Sequence, residues 1–340
     1  MAPRPPARTQ APVTWRDGVH LTGTPIWCDA RRRRDVCFVS AADRVTAAEH
    51  GQLIATPITL ALVAPKAGGG AGAGHLAVPW RRPFTLGTLR LELLPSGRGL
   101  GAAALHVDSR GRTVLYAGPV RTTADRDAAE VRASDAVVVA APFGEPHHTF
   151  APIDDIAEAL ATWAKAQLAT GTTPVAVVDS VLDGLEIAAK LGDQLSLAGS
   201  KTLREAAQRL ANLETLPELR AVGKEPRLVI RVASDKSGER PTRSTAEGGA
   251  KVNDKATLPA KSVSALVSGR ALDGHAGFAT GFAWPFAAGR AQLLAWIEQT
   301  RAKDVFVTGA CAETIAGVLG KRARVLGPPH QMTLSLGEAS

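Results

Sequence analysis

The chain has 340 residues, 45% of them hydrophobic and 21% charged, a balance that excludes a disordered or fibrous protein and suffices for one large domain or two intimate ones. Forty Lys plus Arg against thirty-two Asp plus Glu leave a net charge of +8 and favour polyanionic partners. No apolar run approaches the roughly twenty residues of a membrane span, and the opening from Met1 to Pro6 lacks the apolar core of a secretory signal, so the expected compartment is the cytoplasm. Cys28, Cys37 and Cys311 sit in apolar surroundings with no Cys-x-x-Cys spacing and read as buried free thiols.

Residues 1–14 are rich in Pro, Arg and Ala without periodicity and predict a mobile basic tail. Strand-like runs follow at Ile26 to Asp29, Val36 to Val39, Leu89 to Leu94, Ala103 to Val107, Thr113 to Tyr116 and Ala136 to Ala140, with turn chemistry between them. The Gly68 to Gly74 stretch lacks the ending of a phosphate-binding loop and reads as a flexible insertion. From Ile153 the period becomes helical through Ile156, Leu160, Trp163 and Leu168. A strand at Val175 to Val178, helices near Gly184 to Leu191 and Thr202 to Leu213, and a strand at Arg227 to Ala233 then predict a small parallel α/β unit. Residues 234–261 read as a long, exposed, basic loop. Beyond it come a strand at Val263 to Ser268, a helix at Ala288 to Lys303, a strand at Val305 to Thr308 and a helix at Ala312 to Arg322.

The segment Trp27, Cys28, Asp29, then Arg31, Arg32, Arg33 and Arg34, then Val36 to Ser40, Ala41, Ala42, Asp43 and Arg44 resembles the opening of the bacterial ligase-associated DNA exonucleases. In that β-CASP branch of the metallo-β-lactamase fold, a Leu-Asp-Pro strand end leads through a basic turn to Val-Ser-His-Ala-His-x-Asp-His. The resemblance spans about residues 15–330 and implies an α/β protein with an αββα sandwich and a small inserted α/β cap. It places the sandwich at residues 15–145 plus 263–330, the cap at 146–262 and a tail at 331–340.

What the resemblance does not carry across is the metal chemistry. A two-metal hydrolase needs five to seven His and Asp ligands at strand ends to activate water and hold phosphate oxygens. Asp29 stands at the first ligand position. Asp43 and Arg44 stand where the motif ends in Asp-His, and Arg98 replaces the His of Leu-Pro-Ala-Gly-His. Pro119 replaces the bridging Asp, and Ala140 opens the stretch where the family's Glu-Thr-Thr-Phe-Gly stands. Phe282 and Gly309 stand for the two C-terminal histidines. The expectation is therefore a vestigial cleft, no catalytic residue and no cofactor, where the family uses two Zn or Mn ions. Asp29 and Asp43 are the remaining candidates for a single cation.

Arg31, Arg32, Arg33, Arg34, Arg44 and Arg98 are the phosphate-binding candidates, because a guanidinium offers a planar fork to phosphate oxygens. The run Arg31 to Arg34 reads first as a solvated turn. His147 and His148 read as loop histidines that point apart, and Gly199 to Thr202 as a helix start capped by Ser200. The expected partners are DNA and a DNA-repair protein: a ligase, a helicase, or a sliding clamp docked by the tail from Gln331 to Leu336. Two other readings stand beside this one. One is a hydrolase with a site rebuilt from Asp29, Asp43 and a loop His, and the other is a pure protein-interaction module.

Overall fold

The computed structural model describes residues 11–44, 49–63, 74–124, 126–233, 259 and 261–328. Its strands form three sheets. The first is ordered β1 (Val13–Trp15), β2 (Val19–Leu21), β3 (Ile26–Cys28), β4 (Val36–Phe38), β5 (Gln52–Ala55), β6 (Leu76–Ala77), antiparallel through β3 and parallel beyond, with helix α1 (Pro57–Val63) before β6. The second continues the chain through β7 (Phe84–Leu86), β8 (Leu89–Pro95), β9 (Ala103–Ser109), β10 (Arg112–Pro119) and β11 (Ala136–Ala140).

Helix α2 (Ile153–Ala169) opens a third, wholly parallel sheet. Its elements are β12 (Thr173–Val178), α3 (Val181–Leu191), β13 (Leu197–Gly199), α4 (Lys201–Leu210), β14 (Leu219–Ala221), β15 (Leu228–Val232), β16 (Ser262–Val267) and β17 (Thr280–Phe282), and the spatial order is β14-β13-β15-β12-β16-β17. The chain then returns to the second sheet through α5 (Arg290–Gln299), β18 (Asp304–Thr308), α6 (Ala312–Leu319) and β19 (Ala323–Val325), where β18 lies between β11 and β19.

Burial explains the layering. Leu21, Ile26, Phe38 and Ile54 of the first sheet meet Leu91, Leu93, Leu105, Val138 and Phe306 of the second in one core. The other face of the second sheet, with Leu115, Val137, Val139 and Val307, is covered by Leu293, Trp296 and Ile297 of α5 and Ile315 of α6. Strand β11, Ala-Val-Val-Val-Ala, is buried at every residue, as a central parallel strand covered on both faces must be. Helices α2, α3 and α4 share a third core with Cys37, Val39 and Leu53 of the first sheet and Val178, Ile230 and Val232 of the third. They therefore join the inserted unit to the rest of the molecule.

Two expectations change. Strand β1 begins at Val13, inside the expected tail, because Val13 is buried and registers with Leu21. Residues from 263 do not return to the first unit: β16 pairs with β12 and β17 with β16, so the third sheet runs on to Phe282. Short strands such as β1, β2, β5 and β13 carry too few residues to show a period in the sequence. Most of the insertion from Gly68 to Gly74, most of the basic stretch 234–261 and the tail from Gln331 lie outside the described residues. Among those described, no helix is long and apolar enough to cross a membrane.

Candidate functional site

Asp29 follows β3 in the left-handed region (φ 46°), and its amide donates to the Phe38 carbonyl at 2.9 Å. This fixes the carboxylate between the first two sheets. It accepts from the Ser40 amide at 2.8 Å, the Ser40 hydroxyl at 2.6 Å and the Tyr116 hydroxyl at 2.8 Å. Burial raises this carboxyl above the usual carboxylate range despite the opposing pull of Arg44, Ser40 and Tyr116. Both oxygens are thus engaged by protein donors.

Arg98 is carried by the loop between β8 and β9. Gly97 before it has φ 74°, and a side chain there would strike the Arg121 carbonyl at 2.0 Å, so the turn accepts only glycine. Arg98 itself is 2% exposed. Its Nη1 donates to Asp183 Oδ1 at 2.7 Å, and its Nη2 to Asp43 Oδ2 at 2.6 Å and Ser180 Oγ at 3.1 Å. Burial opposes the Arg98 charge, yet Asp183 and Asp43 more than restore it and hold the guanidinium protonated. Burial also raises Asp43, but Arg98 and then Arg44 outweigh it and leave that carboxyl below its ordinary value. Arg44 acts on Asp29 and Asp43 through its charge, and its own Nε is buried with no partner.

A second buried arginine repeats the motif. Arg121 donates to both Glu186 carboxylate oxygens and, at 2.8 Å, to the Pro285 carbonyl, while Trp284 Nε1 donates to Glu186 at 3.1 Å. Asp183 and Glu186 lie three residues apart on α3 and so share one helix face. Two arginines from the second sheet's loops thereby hold one helix of the inserted unit.

The other expected ligand positions are partly gathered. Pro119, Ala140 and Thr308 are in register at the ends of β10, β11 and β18, so Pro119, Ala140 and Gly309 form a row across the C-terminal ends of these central strands. None offers a metal donor atom. Gly309 has φ 100°, and a Cβ there would lie 2.9 Å from the Ala141 carbonyl oxygen, which excludes a histidine. Phe282 does not join the row. It lies on β17 in the third sheet, its ring edge-to-face with Trp163 at 5.8 Å.

The arginine run is not a simple solvated turn. Because β3 and β4 are parallel, residues 29–35 must travel back along the sheet. Arg31, Arg32 and Arg33 are exposed, with Arg32 paired to Asp17 at 3.0 Å, whereas Arg34 is half-buried and lies 3.8 Å over the Trp27 ring, which also stacks on His20. Of the six phosphate-binding candidates, Arg98 is committed to carboxylates and Arg34 to Trp27.

His147 and His148 do not point apart. Both Nε2 atoms reach Asp273 Oδ1, at 2.8 and 3.1 Å, because the chain turns there rather than extending. The three side chains are spaced as metal ligands could be. Yet His148 Nδ1 accepts the Gly144 and Glu145 amides, both at 3.0 Å, which leaves its proton on Nε2 and makes that atom a donor to Asp273. A metal-bound imidazole needs the opposite arrangement. Ser200 also departs from expectation: it opens α4, but its hydroxyl makes no capping bond and is buried without a partner.

The donor set therefore does not fit the paired Zn or Mn ions implied by the sequence resemblance. Arg98 fills one ligand position with a cation, Pro119, Ala140 and Gly309 lack donors, and Asp29 has its oxygens occupied. Arg121, Asp183, Glu186 and Asp273 escaped sequence reasoning. The one available signal was the pair of acids three apart on a largely apolar helix.

No protein-family model matches the sequence, and no curated protein matches it. Among solved structures, a protein of unknown function from Enterococcus faecalis V583 is similar with a TM-score of 0.56 at 11% identity, covering 86% of this chain and 79% of that one. At that identity the likeness is one of fold, and it supports a mixed α/β architecture.

Proposed function

We propose that the chain is a non-hydrolytic protein built like the metallo-β-lactamase nucleases, with a β-CASP-like cap, and that it acts by binding DNA in a repair setting. Two facing sheets flanked by helices, with a parallel α/β unit inserted after β11, suit that layout. The observation that carries the reading is Arg98: a buried guanidinium, held through Nη1 and Nη2 by Asp43, Asp183 and Ser180, is the residue that the sequence resemblance sets in place of a metal-ligating histidine. Binding in place of cleavage agrees with the net charge of +8 and with the exposed arginines of the β3–β4 crossover. A ligase, helicase or sliding clamp is the protein partner this reading implies.

The test is to incubate the purified protein with Mn or Zn and with single- and double-stranded DNA. No cleavage and no stoichiometric metal are expected, together with DNA binding that weakens steeply as salt rises. Tight metal with cleavage would overturn the reading. An absence of DNA binding at low salt would leave the protein-interaction module as the better account.

A further inference from the structure

Arg98 lies where three chain segments meet. It comes from the β8–β9 loop, Asp43 from the loop after β4, and Asp183 and Ser180 from the start of α3 in the inserted unit. The Ser180 hydroxyl donates to Asp183 Oδ2 at 2.7 Å, and Arg98 Nη2 lies 3.3 Å from the same oxygen. Asp183 is 3% exposed, and the Asp43 side chain is 23% exposed. Around one positive charge the fold thus gathers two carboxylates and a hydroxyl, with the Phe286 ring 4.9 Å away.

Without the guanidinium, Asp183 would lose its buried ion-pair partner and Asp43 would keep only the charge of Arg44, and a buried charge that loses its partner is strongly destabilising. Carboxylate and hydroxyl oxygens, completed by water, are also the ligands a hard divalent cation takes. We propose that Asp43, Asp183 and Ser180 form a cation site whose cation is the chain's own Arg98, and that this internal counter-ion holds the inserted unit on the two-sheet core without any bound metal. The inference stands on side-chain geometry and does not depend on the nuclease-like reading. It goes beyond that reading by assigning the oxygen cluster a ligand class, hard divalent cations, that the guanidinium excludes.

The experiment is thermal unfolding of the full chain in EDTA and in millimolar Mg2+ or Mn2+. Arg98→Gln should lower Tm by about 5 °C in EDTA, the scale of breaking a buried pair in a protein of this size. Divalent ions should recover at least half of the loss. The parent protein should ignore both additions, and adding Asp43→Asn to Arg98→Gln should abolish the ion response. An Arg98→Gln protein that melts like the parent in EDTA, or that stays equally unstable with and without ions, overturns the proposal, as does a parent protein that needs divalent ions. Should Arg98→Gln fail to fold, Arg98→Lys keeps the charge and should melt close to the parent without ions; instability unrelieved by ions in that variant would also overturn it. Nuclease activity in the parent would sink the proposed function and leave this inference standing.

Discussion

Asp29 shows how the hydrogen bonds around a buried carboxylate fix what it can do. In the sequence it reads as a surviving metal ligand. In the fold its two oxygens accept three hydrogen bonds, from the Ser40 amide, the Ser40 hydroxyl and the Tyr116 hydroxyl. Carboxylate hydrogen bonds of this kind contribute about 1.5–3 kcal/mol each. Tyr116→Phe removes one without opening a large cavity and should lower the free energy of urea unfolding by about 2 kcal/mol. An unchanged unfolding midpoint would show that the Tyr116 hydroxyl does not support Asp29. Gly309 makes the complementary point: at φ 100°, with a Cβ only 2.9 Å from the Ala141 carbonyl oxygen, the backbone requires a glycine there.

Among elements, polar ties join strands and units alongside the apolar layers. Asp135 precedes β11 and accepts the amide and hydroxyl of Thr113 on β10, at 2.9 and 3.0 Å. These bonds, the amide's first, hold its carboxyl below its ordinary value of 3.8. A depressed carboxyl binds its proton less tightly in the folded state than in the unfolded one. Its stabilisation is therefore complete above about pH 4 and is lost as pH falls through the folded value. Asp135→Asn should be less stable than the parent at pH 7, and the gap should close below pH 4. A gap independent of pH would exclude this carboxylate as its source. At the level of α3, the helix carries acids in its first turns because Asp183 and Glu186 both meet buried arginines from outside the inserted unit.

For the molecule as a whole, the buried Arg98 and Arg121 are committed to carboxylates, which moves any polyanion contact toward the surface. Arg31, Arg32 and Arg33 lie exposed on the crossover that begins just after Asp29. If DNA binds there, replacing all three with alanine should weaken binding at low salt and reduce the slope of log affinity against log salt by about 2–3. Arg98→Gln should leave that slope unchanged. Unaltered DNA affinity in the triple variant would place the contact elsewhere on the surface.

The apolar pattern by itself determined most of the framework: β8, β9, β10, β11, β12, β15 and β18, and helices α2, α3 and α4, lie close to where periodicity puts them, because strand and helix periods are local properties of the chain. The resemblance added only an expectation, that histidines and acids are missing where a two-metal site would need them. Only the tertiary structure decided what Asp29, Asp43 and Arg98 meet. Arg98 and Asp43 are 55 residues apart, and Arg98 and Asp183 are 85 apart. An arginine's spelling is the same whether it meets phosphate, solvent or a buried carboxylate. The choice depends on which loops the sheets bring together, and that is why Arg98 read as a phosphate ligand in the sequence and is an internal counter-ion in the fold.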